Sequence, residues 1–191
     1  MGLDIQLTVD NEAQILTPAY LSSEVVVFNK HSLSRTFCNL MCRKNVVDGE
    51  TELEQIGRIT KVDISPIKDM EKYWDESDIE DHLSLIENEN ERQDFLQSIN
   101  DDKTAITNNI SKVDKTITEL IEKLLLIDNL HDLLFDNGFD NLDNQTYFAD
   151  FKTDKGDGYI GNNFGQDLRN FKRFIDYVKE NASETIFFRY G

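Results

Sequence analysis

Hydrophobic residues recur at alternating intervals of four and three across the segment from Thr104 to Phe135. This spacing predicts the buried face of one long amphipathic helix, and over three heptads it matches the period of a coiled coil. Such a helix would extend about 45 Å at a rise of about 1.5 Å per residue, which exceeds the width of a small domain. We therefore expect it to pair with another helix or to project as an arm. The predicted face consists of Ile106, Ile110, Val113, Ile117, Leu120, Leu124 and Ile127.

Alternation of apolar and polar residues at the start of the chain predicts a strand with one buried face. The alternating apolar positions are Leu3, Ile5, Leu7 and Val9. β-Branched and aromatic runs predict two more strands, at 24–28 (EVVVF) and 185–190 (TIFFRY). A shorter aromatic run at 147–151 (YFADF) is a fourth candidate strand. Because strands lie near both ends of the chain, we expect the two ends to meet in one sheet.

Helical spacing predicts three further helices outside the central part of the chain. The first is capped by Ser32, the second covers 50–59, and the third ends near Asn181. Asn163 and Gln166 resemble a capping box at the start of the third helix. Pro66 excludes a central strand in the apolar segment around it. The residues predicted to face inward are Leu33, Phe37, Leu40 and Met41, then Leu53 and Ile56, then Leu168, Phe171, Ile175 and Val178.

The segment 68–102 differs from the rest of the chain in charge. It contains 13 acidic residues and three basic residues, and so carries −10 of the formal net charge of −17. Apolar residues keep helical spacing on both sides of a polar gap, with a turn and helix cap predicted at 100–102. This pattern predicts a helical hairpin with one strongly acidic limb, and one continuous helix is the alternative. The apolar positions are Ile79, Leu83, Ile86, Phe95, Leu96 and Ile99.

Together these elements predict an α+β fold with a small, mostly antiparallel sheet, flanking helices and a long helical hairpin. We expect a single domain over residues 1–191, with the hairpin as an appendage over 68–135.

The net charge of −17 argues against nonspecific binding to nucleic acid or to anionic membranes, because both require positive charge. It is compatible with binding to a basic protein surface. The chain has no apolar run of membrane-spanning length, and its opening lacks the features of a signal peptide, so we expect a cytoplasmic protein. Cys38 and Cys42 are then reduced thiols, and with His31 they form an incomplete zinc set.

The acidic residues of this segment suggest a specific partner-binding surface. In helical geometry four of them fall along one stripe, at intervals comparable with the phosphate spacing of a nucleic-acid strand. A stripe of this kind could occupy a basic groove built for DNA or RNA. The alternative is a solvated face that prevents aggregation. The four candidate partner-binding residues are Glu80, Glu87, Glu91 and Asp94.

Common catalytic signatures are absent from the sequence, including H-E-x-x-H, G-x-S-x-G and G-x-x-x-x-G-K. The Gly/Asp-rich loop 153–165 resembles an EF-hand loop at Asp154, Asp157 and Gly158 but departs from that pattern at three ligand positions. It also lacks the lysine of a phosphate-binding loop, which leaves an ordinary turn as the simplest interpretation. Packing explains His82 and His131 better than catalysis does.

The opening MGLD, which leads directly into a strand, and the segment DKGDGYIGNNFGQDL at 154–168 resemble small uncharacterised proteins of phages and bacterial mobile elements. The resemblance implies a phage or prophage protein that works inside a bacterial host cell, a setting in which some acidic proteins inhibit enzymes that handle nucleic acid. It implies no catalytic residues.

We therefore expect a non-enzymatic acidic interaction protein without a cofactor. One specific form is a phage-type inhibitor that docks a basic nucleic-acid-binding host enzyme or a defence complex. One alternative is a metal-dependent hydrolase that uses the carboxylates of Asp154 and Asp157. The other is a structural or assembly protein that forms a homodimer through the 104–135 helix.

Overall fold

The computed structural model describes residues 4–18, 20, 30–135, 142–156 and 161–191. Within these residues the protein has an α+β fold, in which helices surround a small antiparallel sheet. The fold class expected from the sequence is therefore confirmed. The strand predicted at 24–28 lies outside the described residues, as does Leu3.

The sheet of the described residues has two strands, one from each end of the chain. Strand β1 (Ile5–Val9) pairs antiparallel with β2 (Ile186–Tyr190), so that Ile5 lies opposite Tyr190. The predictions of a strand near each end of the chain and of their pairing in one sheet are confirmed. β2 alternates between its two faces, and Ile186 and Phe188 belong to the main core cluster while Phe187 lies on the other face.

Helices account for most of the described chain. In chain order they are α1 (Glu12–Ile15), α2 (Arg35–Cys42), α3 (Glu52–Thr60), α4 (Ser65–Asp69), α5 (Glu76–Leu85), α6 (Glu89–Ile106), α7 (Ile110–Leu124), α8 (Leu130–Leu133), α9 (Asn144–Tyr147) and α10 (Phe164–Glu180). Single 3₁₀ turns at Arg43–Asn45 and Met70–Lys72 follow α2 and α4.

The core forms where α7 and α10 pack against each other and against α2, α3, α4 and the sheet. The apolar faces predicted for α7 and α10 are buried: Ile117 and Phe171 have no exposed surface. Because these residues recur at helical spacing, each helix presents a continuous apolar stripe to its neighbours. Burial of the inward-facing residues predicted for α2, α3 and α10 is likewise confirmed. Ile127, the last residue of the face predicted over 104–135, lies beyond α7 and is half-buried.

The prediction of a single long helix over 104–135 is wrong. The structure has α6 and α7 on either side of a break at Thr107–Asn109, and α7 ends at Leu124. Asn108 adopts a left-handed conformation with φ of 56°. The Asn109 side chain donates to the Ile186 carbonyl at 2.8 Å and accepts from the Ile186 amide at 2.9 Å. The chain therefore leaves the helical path where it hydrogen-bonds to the start of β2.

The turn predicted at 100–102 is also wrong, because α6 continues through these residues. Phe95, Ile99 and Ile106 lie four and seven residues apart and maintain one helical face across the polar trio. Residues 100–102 therefore remain helical, although their polar side chains are typical of a turn or a helix cap.

The prediction of a strand at 147–151 is wrong: Tyr147 ends the short helix α9, and turns follow it. Asp143 accepts hydrogen bonds from the amide and the hydroxyl of Thr146, an arrangement that begins a helix. Tyr147, Phe148 and Phe151 are buried, at a spacing that suits a helical turn better than a strand.

The caps of α2 and α10 can be compared with the caps predicted from the sequence. Ser34, rather than Ser32, caps α2 by accepting from the Phe37 amide at 3.2 Å. Asn163 caps α10 as predicted, by accepting from the Gln166 amide at 2.9 Å. The Gln166 side chain does not complete a capping box; its oxygen accepts from the Lys155 amide at 3.0 Å.

Candidate interaction surface

Helices α5 and α6, with the linker 86–88 between them, form an element that we call the acidic hairpin (76–106). The structure describes this segment throughout, and Ile106 is its only buried side chain. Ten acidic and two basic residues occupy the hairpin. Leu85 and Leu96 are 80% and 40% exposed. The acidic hairpin is thus mainly a surface element, which meets the rest of the protein through contacts of α6 with α4 and with the 3₁₀ turn Met70–Lys72.

Local interactions explain why such an acidic segment is helical. Asp75 and Asn88 cap the two helices by accepting from backbone amides two residues later, at 3.1 and 2.8 Å. Both first turns carry acidic residues, which interact favourably with the helix dipole. An aromatic cluster joins the helices: the His82 and Phe95 rings lie 4.3 Å apart, and Trp74 meets Phe95 edge-on at 5.4 Å.

The four predicted partner-binding residues are all exposed, but they do not share one helix. Glu80 lies on α5, Glu87 in the linker, and Glu91 and Asp94 on α6. The single stripe along one helical face is therefore wrong, because that stripe requires a continuous helix from Glu80 to Asp94. All four carboxylates remain on the same surface element, and their role in partner binding stays a prediction.

An open groove of about 620 Å³ lies at the foot of the acidic hairpin, between it and the outer face of the sheet. We call it the basal groove. Tyr73 forms one wall of it by stacking on Phe187, with ring centroids 3.7 Å apart and ring planes 13° apart. The apolar residues that line the groove include Tyr73, Trp74, Ile79, Ile99, Ile106 and Phe187.

Two cations of the groove form ion pairs. The Arg189 guanidinium lies 2.8 Å from the Glu12 carboxylate, and the Lys72 amine lies 2.8 Å from the Asp69 carboxylate. The hydrogen bond to the Glu12 carboxylate is the main reason why the pKa of Arg189 lies above its ordinary value. The charges that line the groove balance, since three are acidic and three are basic, and the excess of negative charge lies on the hairpin. These residues are Asp10, Glu12, Glu76, Lys72, Lys103 and Arg189. Helical periodicity identified Ile79 and Ile99, but the pattern contained no signal for the groove itself.

A polar centre is buried in the core at the start of α10. Asp167 is 1% exposed and accepts from the Ser34 amide at 2.8 Å, the Ser34 hydroxyl at 2.6 Å and the Tyr147 hydroxyl at 2.8 Å. Burial raises the pKa of Asp167 from 3.8 to about 7, and the three donors act in the opposite direction. Because every donor also ties a helix to α10, this centre has a structural explanation.

The Gly/Asp-rich loop is described only in part. Asp154 accepts from the Gly156 amide at 2.8 Å and lies 3.6 Å from the Arg173 guanidinium, whereas Asp157 lies outside the described residues. Across the described ranges, no group of three or more His, Cys, Asp or Glu side chains is placed to hold a metal ion.

The histidines and cysteines take part in packing. His31 is buried, and its Nδ1 lies 2.7 Å from the Tyr20 hydroxyl. His82 belongs to the aromatic cluster of the hairpin, and His131 lies beside Asp132. Cys38 is buried and Cys42 half-buried, both with free thiols, and burial is the largest cause that raises the pKa of each.

The apolar face proposed for a homodimer is occupied within the chain. From Ile106 to Leu124 its residues are buried, and α7 packs on α10, α4 and α3. A dimer through 104–135 would need other residues of that segment. Exposed apolar residues near its end are Leu125, Leu126, Leu133 and Phe135.

In the part of the chain that the structure describes, every helix is too short or too polar to cross a membrane. Comparisons of the chain with protein-family models, with curated proteins and with solved structures found no match. The functional argument therefore depends on the surface geometry described above.

Proposed function

We propose that the protein is a non-enzymatic interaction protein whose acidic hairpin docks a basic protein surface. The observation that carries this proposal is the hairpin itself, a well-capped pair of helices with ten acidic residues and a single buried side chain. A long segment that adds so little to the core is better explained by an external role than by stability.

Electrostatics favours a basic partner. A net charge of −17, with −10 in residues 68–102, produces a directional field that attracts cationic surfaces and accelerates their encounter. The exposed Leu85 gives the hairpin apolar contact area beside its carboxylates. A phage-type inhibitor that occupies the nucleic-acid groove of a basic host enzyme is the specific form that fits the hairpin's charge.

Charge reversal tests the proposal. A variant that replaces Glu80, Glu87, Glu91 and Asp94 by Lys should bind a basic partner about tenfold to 100-fold more weakly, since each lost charge contact is worth roughly 0.3–0.7 kcal/mol. The partner is first isolated from bacterial lysate with the unaltered protein and purified. Its Kd is then measured by fluorescence anisotropy at low and at high salt.

The matched control replaces Asp48, Glu122, Glu180 and Glu184 by Lys. These four residues are exposed, lie outside the hairpin and change the net charge by the same amount. The control should bind within about threefold of the unaltered protein and keep its salt dependence. Equal weakening by both variants would show that net charge alone drives capture and would contradict a docking role for the hairpin.

A further inference from the structure

The basal groove has the size and lining of an anchor pocket. Its volume of about 620 Å³ lies within the range of pockets that enclose small ligands or large side chains. One wall is the Tyr73–Phe187 stack against the sheet, and the other includes Ile79 of α5 and Ile99 of α6. A bulky apolar group that enters this space would be covered from both sides.

Charge is distributed around the groove as it is in protein interfaces. Inside, three acidic lining residues balance three basic ones, and Arg189 is paired with Glu12. Above the groove, the hairpin presents its excess of carboxylates to solvent. Interfaces commonly combine an apolar centre, which supplies most of the affinity, with a charged rim that guides orientation.

We propose that the basal groove receives an apolar anchor residue of the basic segment that the acidic hairpin attracts. The occupant is a partner segment with one large aromatic or aliphatic side chain flanked by Lys or Arg. Charge complementarity selects it, because an acidic segment would be repelled by the hairpin. A segment of cations alone would leave the apolar walls of the groove uncovered. The inference rests on the proposed function and adds the feature that the hairpin recognises besides charge.

Trp74 makes the groove directly observable, because it is the only tryptophan of the chain and lines the groove. The probes are two tryptophan-free peptides of about 15 residues, built from Lys and Ala, one with a central Phe and one with Ala at that position. The Phe peptide should bind about tenfold or more tightly, because burial of a Phe side chain is worth that much or more. Its binding should shift the Trp74 emission to shorter wavelength.

Variants locate the anchor without changing any charge. Ile99→Ser, on the α6 wall of the groove, should reduce the preference for the Phe peptide to about onefold to twofold. Ala13→Tyr, at an exposed position on the groove rim, should reduce it as well by filling the space. The control is Leu96→Ser, which lies on the same helix but does not line the groove and should retain the preference. Circular dichroism checks that each variant is folded.

The outcomes separate the two proposals. Equal binding of the two peptides by the unaltered protein would overturn the anchor pocket and leave the hairpin proposal standing. Loss of the preference in Leu96→Ser, with retention in both Ile99→Ser and Ala13→Tyr, would also overturn it. Failure of both peptides to bind at low salt would count against the proposed function itself.

Discussion

At the scale of single residues, Asp167 is a buried carboxylate held by three hydrogen bonds. Its carboxylate joins α10 to the cap of α2 through Ser34 and to α9 through Tyr147. From sequence it reads as an acidic residue in the first turn of a helix, where exposure is the usual outcome. Its burial depends on residues 20 and 133 positions away, which local pattern does not reveal.

The raised pKa of Asp167 predicts a pH dependence of stability. Between its ordinary value of 3.8 and about 7, the folded protein keeps the proton that the unfolded chain releases. The unfolded state then binds fewer protons, so the free energy of unfolding falls as pH rises through this window, by at most about 1.4 kcal/mol per pH unit. Urea unfolding of the unaltered protein and of Asp167→Asn, from pH 4 to pH 7, measures this effect.

The unaltered protein should lose stability relative to Asp167→Asn as pH rises, because the amide of the variant does not titrate. Glu180→Gln is the control: Glu180 is exposed at the end of the same helix, and its replacement should change stability by less than about 0.5 kcal/mol at every pH. If the unaltered protein instead gained stability relative to Asp167→Asn as pH rises, the three donors would outweigh burial and hold the pKa of Asp167 below 3.8.

At the scale of elements, the break between α6 and α7 separates the acidic hairpin from the core. The apolar spacing runs across Thr107–Asn109 without interruption, so periodicity alone predicts one helix. Asn is common where a helix ends in a left-handed residue, and two consecutive Asn residues were therefore a usable signal for the break. What makes the break specific is the paired contact between Asn109 and the backbone of Ile186.

Replacement of Asn109 by Ala should destabilise the protein by about 2–4 kcal/mol, since it leaves the buried amide and carbonyl of Ile186 without these partners. Chemical denaturation followed by circular dichroism measures the change in the free energy of unfolding.

The comparison variant is Asn108→Gly, at the neighbouring residue with φ of 56°. Glycine adopts this conformation readily, and stability should change by less than about 1 kcal/mol. Similar losses in both variants would contradict a specific role for the hydrogen bonds between Asn109 and β2.

At the scale of the whole molecule, charge and core are divided between different parts of the chain. The core cluster draws its residues from both ends and from α7, whereas the hairpin contributes exposed carboxylates. Repulsion among those carboxylates lowers the intrinsic stability of the hairpin, and its caps and helix dipoles offset part of that cost. The expected appendage is therefore shorter than 68–135, because α7 belongs to the core.

Excision tests this division. Replacing residues 77–104 by a flexible linker of about ten Gly and Ser residues should leave a cooperatively folded protein, because the excised segment contains no buried side chain. The free energy of unfolding should fall by no more than about 2 kcal/mol, as measured by urea titration, and binding to a basic partner should be lost. A product without cooperative unfolding would show that the hairpin is part of the folding unit.

The sequence by itself determined the features that depend on local spacing and composition. These include the buried faces of α7 and α10, the strands at the two ends and the concentration of acid in 68–102. Only the tertiary structure decided where the long helix breaks, that Asp167 is buried, and that Tyr73, Trp74 and Phe187 meet below the hairpin. The physical reason is range: periodicity reports which face of an element is apolar, whereas a groove or a buried carboxylate depends on contacts between distant residues.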